Sequence, residues 1–181
     1  MPLPGKCWRH VVLGTKNSWL PGDPRGWRSR KHRRHSSGDY RKPPPPGEHR
    51  NLHDHARRIS GSPIVIPSDL RAVVGQAFVD RLRRDGHRLL SLSVGGMHLH
   101  ALVQLPLDLK LSKQIMGECK AVASHAIRAT LPGKVWAHDG DFDRVTDPEH
   151  QRNVYRYILR HADEGAWVWS FRETGQDFDM S

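Results

Sequence analysis

The chain has 181 residues, which is enough for one domain with a hydrophobic core plus an extension. Its formal net charge of +10 predicts a polyanionic partner, and nucleic acid is favoured over an anionic membrane surface. No apolar run approaches the roughly 18 residues that cross a bilayer, so no membrane partner is expected, and two distant cysteines are typical of reduced thiols in a cytoplasmic protein.

The first predicted element is a short β-branched strand at residues 10–15, for which a buried core strand is the simplest interpretation. Composition then changes, and about residues 19–61 form an insertion rich in proline, glycine and basic side chains. The proline run at 43–46 favours an extended spacer. A cationic block at 28–35 has no apolar periodicity, so it predicts an exposed arm rather than a helix with a buried face.

Two interpretations of this arm stay open. It could contact phosphates, with Trp19, Trp27 and Tyr40 interleaved for base stacking, or it could be a solvated insertion. The candidate nucleic-acid-binding residues are basic side chains of the arm, together with one lysine of a later helix: Arg28, Arg30, Lys31, Arg33, Arg34 and Lys120.

Beyond the insertion, apolar periodicity predicts helices from Ser68 to about residue 86, over 111–131, and from Asp147 to about residue 165. Ser68 and Asp147 are predicted N-caps. Two strands at 89–94 and 97–106 flank a Gly-Gly turn, which is a hairpin signal. A further strand is expected near 135–145, and the apolar segment 166–171 is expected to pack back on the domain.

This order of elements is the βαββαβ pattern of a ferredoxin-like (RRM-like) α+β fold. The expected antiparallel sheet has the first strand beside the His98 strand at its centre. Helices are expected on one face, which leaves the other face open for a ligand. We therefore predict one domain over residues 1–181, with the basic Pro-rich insertion after its first strand.

A candidate site follows from four side chains. His98 and His100 point to the same side of a strand, roughly 7 Å apart, so they could share a divalent metal. Tyr157 and His161 are spaced i, i+4 and lie on one helical face, whereas Tyr155 falls on the opposite face. Together these residues predict a metal held by three histidines and a tyrosine nucleophile acting on a phosphate.

Each residue also has an ordinary interpretation, which the sequence leaves open. Two histidines can share a short strand by chance. A helix tyrosine commonly packs under a sheet with its hydroxyl in water, and a histidine at a helix C-terminus can complement the helix dipole.

At these residues the chain resembles a family. Met97–His100 is similar to the histidine, bulky apolar, histidine motif of single-tyrosine HUH transposases, and Arg156–Ile158 is similar to the nucleophile segment of the REP-associated tyrosine transposase branch. Residues 135–145 and the strand near His10 also resemble that branch, and the likeness covers about two thirds of the chain.

The resemblance implies nicking and joining of single-stranded or hairpin DNA with Mg²⁺ or Mn²⁺. It assigns a 5′-phosphotyrosine intermediate to Tyr157 and metal binding to His98, His100 and His161. The chain departs from the family where His161 replaces the usual Asn or Gln, which favours softer metals such as Mn²⁺ or Zn²⁺ over Mg²⁺. The Pro-Asn before the first histidine is replaced by glycines, and the insertion is longer than expected.

Three functions are therefore compared. The first is a metal-dependent tyrosine endonuclease and transposase. The second is a basic nucleic-acid-binding domain without chemistry, such as a domesticated transposase, and the third is a metal-dependent hydrolase that uses water. The sequence leaves open whether the chain acts alone or as a homodimer.

Overall fold

The structure, a computed structural model, describes residues 2–27, 35–37 and 44–172. Its strands are β1 (Lys6–Thr15), β2 (Leu89–Val94), β3 (His98–Pro106), β4 (Trp136–Arg144) and β5 (Trp167–Ser170). Its helices are α1 (Arg50–Ser60), α2 (Ser68–Arg84), α3 (Leu109–Ile127) and α4 (Pro148–Arg160), and α4 is followed by a 3₁₀ turn, His161–Glu164. Within those ranges, no helix has the length and apolar character needed to cross a membrane.

The five strands form one antiparallel sheet in the order β4-β1-β3-β2-β5. The first four strands have the arrangement of a ferredoxin-like fold, which confirms the predicted α+β class and the central position of β1 and β3. β5 pairs with β2 at one edge, so the apolar segment 166–171 packs back on the domain as predicted.

One face of the sheet carries the main core. Val11 lies opposite Ala101 in the β1–β3 register, and the side chains of this face alternate along β3 with those of the histidine-bearing face. α2 packs here so closely that a Cβ at Gly75 would lie 2.0 Å from the Trp167 ring. A mid-helix glycine usually weakens a helix, and here it permits the contact between α2 and β5. α3 packs beside α2, where Arg81 pairs with Glu118.

The opposite face carries His98, His100 and Leu102, and α4 packs against it over β2 and β3. α4 has an apolar stripe of its own, in which Val154 and Ile158 are buried. α4 therefore covers part of the sheet face that is predicted to receive a ligand. Packing there buries the apolar stripe of α4, which would otherwise be exposed to water.

The helix ends agree only in part with the local sequence signals. Asp147 caps α4 as predicted, since its carboxylate accepts a hydrogen bond from the His150 N–H. The predicted N-cap at Ser68 is wrong, because Pro67 occupies that position and Ser68 is the first helical residue. α1 lies in the predicted insertion and has no counterpart among the predicted helices, because the proline, glycine and basic residues of that segment favour an extended arm. Leu52, Ala56 and Ile59 are nevertheless spaced as on one helical face, and Ala56 is the one buried residue of α1.

Candidate metal and nucleic-acid site

Three histidines from two separate elements meet on the α4 side of the sheet. His98 and His100 alternate with Leu99 on β3, so both rings project from one face. His161 follows directly on α4 and brings its ring over that face. One ligand atom from each of the three lies within 4.8 Å of the others. His100 and His161 are buried, whereas His98 is exposed, so the cluster opens to solvent on the His98 side.

The ring of His161 is held by the neighbouring strand. Ser93 lies opposite His100 in the β2–β3 register and therefore faces the same side of the sheet. Its Oγ is 2.8 Å from Nδ1 of His161. This contact occupies Nδ1 and leaves Nε2 of His161 as the nitrogen that can bind a metal.

A fourth histidine, His10, lies beside His100 on the neighbouring strand. It is absent from the site residues that are predicted from the sequence. His10 on β1 places Nε2 at 3.1 Å from Nδ1 of His100, and the two rings stack at 5.4 Å between centroids. The interpretation of residues 10–15 as a plain core strand gives His10 no role. The signal that could have found it is its even spacing from Val12 and Gly14 on a strand predicted to adjoin β3.

All four imidazoles favour the neutral form. Burial lowers the pKa of His100 to about 2, and the nearby histidines His161, His98 and His10 add to this effect. Desolvation by the surrounding side chains is also the main cause of the lowered pKa values of His10, His98 and His161, although one side of the His98 ring stays exposed. A neutral imidazole keeps a free lone pair, which is the form that binds metals.

The residues fit one divalent cation. Three neutral nitrogen donors lie close enough together to bind a single ion. Contacts with His10 and Ser93 orient the rings of His100 and His161. An all-imidazole set suits Zn²⁺ and similar borderline ions best, and it accepts Mn²⁺ more readily than Mg²⁺, which strongly prefers oxygen ligands.

Tyr157 lies against the same cluster. Its ring centroid is 4.7 Å from that of His161, 5.6 Å from that of His100 and 5.9 Å from that of His10. The residue is nevertheless 41% exposed, so a substrate in solution can reach it. Tyr155 faces elsewhere, because its hydroxyl is 2.6 Å from Ser170 Oγ and its ring packs edge-on against Phe171.

Most of the candidate basic residues, Arg28, Arg30, Lys31, Arg33 and Arg34, lie outside the described residues, as does Tyr40. Lys120 is half-buried on α3, and its Nζ donates to the Ala137 carbonyl of β4 at 3.0 Å. Trp27 is buried and packs edge-on against His49, so it cannot offer its ring to a base. Trp19 remains 55% exposed.

No protein-family model and no curated protein matches the chain. Among solved structures, the chain is similar to a REP-associated tyrosine transposase bound to a REP hairpin. The match has 13% sequence identity and a TM-score of 0.47, and it covers 91% of this chain and 70% of that chain. A likeness at this level of identity and superposition carries no information on activity.

Proposed function

We propose that the chain is a transposase-like, metal-dependent single-stranded DNA endonuclease and strand transferase in which Tyr157 is the nucleophile. The observation that carries the proposal is the packing of the half-exposed Tyr157 ring against His161 and His100, two members of the three-histidine cluster. A nucleophile must lie beside the group that holds the phosphate if the reacting atoms are to meet.

His98, His100 and His161 would hold the divalent ion, and Ser93 and His10 would keep two of these rings in position. When bound, the ion supplies a positive charge that polarises a phosphodiester and favours phenolate at a nearby tyrosine. The all-nitrogen ligand set supports Mn²⁺ over Mg²⁺ as the more effective of the two.

In the proposed step, the Tyr157 oxygen bonds to phosphorus and the bond from phosphorus to the 3′-oxygen of the preceding nucleotide breaks. The phenolic proton passes to solvent, and the departing 3′-oxygen takes up a proton. One phosphodiester is exchanged for another, so the 5′-phosphotyrosine retains the energy needed for joining to a new 3′-hydroxyl. This covalent phosphotyrosine distinguishes a strand transferase from a hydrolase, in which water attacks the phosphate and no protein–DNA bond forms.

The substrate class follows from charge and access. The net charge of +10 supports a polyanion, and the exposed sides of His98 and Tyr157 give a strand a route to the cluster. We assign phosphate contacts to the basic residues of the insertion and to Lys120, whose ammonium has three donors and uses two near β4. These residues are Arg28, Arg30, Lys31, Arg33, Arg34 and Lys120.

The net charge alone would also suit a basic nucleic-acid-binding domain that carries out no chemistry. The two functions are separated by incubating the protein with single-stranded DNA labelled at its 3′ end and Mn²⁺, followed by a denaturing gel. An endonuclease of the proposed kind gives a labelled band at the mass of protein plus DNA. Cleaved DNA without that band would indicate a water-using hydrolase, and uncleaved DNA would indicate the binding domain.

A further inference from the structure

Trp19 is an exposed aromatic side chain in a rigid setting. It is 55% exposed, yet its Nε1–H is already used in a 2.7 Å hydrogen bond to the Gly26 carbonyl. The Arg25 guanidinium lies over the ring at 4.1 Å from its centroid. With its polar edge occupied, the indole can offer a partner only its aromatic face.

The cation over this ring is itself fixed. Arg25 donates to both carboxylate oxygens of Asp23, from Nε at 2.9 Å and from Nη2 at 2.7 Å. Nη2 also donates to the Ser18 carbonyl at 2.5 Å. Asp23 is buried, so the bidentate pair holds the guanidinium plane in one orientation. Trp19 and Arg25 therefore form a preorganised stack, called here the Trp19 platform.

The Trp19 platform stands at the His98 end of the candidate site. Gly14 lies directly opposite His98 in the β1–β3 register, so a side chain at residue 14 would project from the histidine face. A Cβ there would lie 2.8 Å from Ser18 Oγ, so Ser18 occupies that space. Ser18 directly precedes Trp19 in the chain, and its carbonyl accepts the hydrogen bond from Arg25. In agreement with this placement, the Arg25 charge adds to the effect of burial in lowering the His98 pKa.

We infer that the Trp19 platform binds an unpaired nucleobase of single-stranded DNA next to the phosphate that Tyr157 attacks. This inference rests on the proposed function. A base stacked on the open part of the indole extends the Arg25–Trp19 stack, and the guanidinium adds positive charge beside the strand. Recognition through the ring face accepts any base, so the Trp19 platform contributes affinity and placement but little sequence preference.

The test measures binding of a fluorescent oligo-dT 12-mer in EDTA, which separates binding from cleavage. Trp19→Ala should weaken binding by at least about fivefold, the lower end of the loss expected for one stacked base. Trp19→Phe should restore most of the affinity, because phenylalanine keeps an aromatic face. The matched control is Ile59→Ala, which removes an apolar side chain that is 73% exposed on α1, and it should bind as wild type does.

A readout that a purely structural role would not change is tryptophan emission. Stacking quenches an indole, so oligo-dT should quench wild-type emission more strongly than that of Trp19→Phe. Equal quenching, or equal affinity of Trp19→Ala and wild type, overturns the Trp19 platform while leaving the proposed function intact. Failure of the wild-type protein to bind the oligonucleotide at all overturns both.

Discussion

His10 Nε2 lies 3.1 Å from His100 Nδ1, so a histidine pair joins the two central strands behind the candidate metal site. The contact occupies Nδ1 of His100 and leaves Nε2 as the nitrogen that can bind a metal. Residues that orient a ligand in this way matter to metal affinity although they do not touch the metal.

We predict that His10→Ala weakens Mn²⁺ binding by about 10- to 100-fold, the usual loss when such an orienting partner is removed. The affinity is measured by isothermal titration calorimetry. His10→Gln, which keeps a polar group within reach of His100, should retain most of the binding. Wild-type affinity in His10→Ala would show that the pair does not orient the ligand.

His98→Ala and His100→Ala should each abolish DNA cleavage while leaving DNA affinity nearly intact. The metal site loses one of three ligands, whereas the basic residues that contact phosphates are unchanged. Cleavage is followed on a denaturing gel and binding by fluorescence anisotropy, with thermal melts to check folding. Cleavage at the wild-type rate by either variant is incompatible with the ligand assignment.

The two tyrosines of α4 offer a matched pair. Tyr157→Phe should form no covalent adduct with DNA, because it removes the hydroxyl and keeps the ring against the histidines. Tyr155→Phe should form the adduct normally, since the Tyr155 hydroxyl is hydrogen-bonded to Ser170, away from the cluster. Mass spectrometry of the nuclease-trimmed adduct should find the nucleotide on Tyr157. A nucleotide found on Tyr155 or on another residue type contradicts the proposal.

The cationic block should set the salt dependence of DNA binding. Replacing Arg28, Arg30, Lys31, Arg33 and Arg34 by serine should reduce the slope of log affinity against log salt by about 0.7 for each single-strand phosphate that the protein no longer neutralises. Lys110→Ser with Arg83→Ser, which removes two exposed basic residues of α3 and α2, is the control and should change the slope little. An unchanged slope in the first variant would show that the block does not touch DNA.

Two helical glycines should respond oppositely to alanine. Gly75→Ala should lower the free energy of unfolding by about 1–3 kcal/mol, because its Cβ would collide with the Trp167 ring. Gly117→Ala should raise it by about 0.5–1 kcal/mol, since Gly117 is exposed in α3 and the added Cβ would meet no atom within 4 Å outside its own stretch of helix. Urea denaturation measures both. A stabilised Gly75→Ala protein would mean that α2 and β5 are not in close contact.

The parts of the fold that local sequence can predict are those with strong periodicity or turn chemistry. Alternation and a Gly-Gly turn indicate the hairpin of β2 and β3, and the Asp147-Pro148 pair indicates the start of α4. α1 lies in a segment whose proline, glycine and basic residues favour an extended arm, and its short stripe of Leu52, Ala56 and Ile59 carries too few apolar side chains to outweigh that composition. Arg71 of α2 donates a hydrogen bond to the Gly165 carbonyl at 2.6 Å, and this contact spans 94 residues of sequence, so no local pattern predicts it.

The site residues that can be predicted from sequence are those whose relation depends on spacing within one helix or strand. Spacing within one element indicates that His98 and His100 share a face, and that Tyr157 and His161 share another. The contribution of His10 depends on how β1 aligns with β3, and that register follows from the whole sheet. Trp27 and Trp19 look alike in the sequence, but in the structure Trp27 is buried beside His49 and Trp19 is exposed.

The three-histidine cluster is divided between the sheet and the end of α4, and this division has a thermodynamic consequence. Any ion that binds all three rings cross-links helix and strand, so it must stabilise the folded chain by an amount that grows with the logarithm of the ion concentration divided by its dissociation constant. Because Tyr157 belongs to the same helical segment as His161, local opening of α4 would remove a ligand and the nucleophile together. Hydrogen exchange of the α4 amides should therefore slow when Mn²⁺ is added, and that slowing would report how far the tyrosine is held in place before DNA arrives.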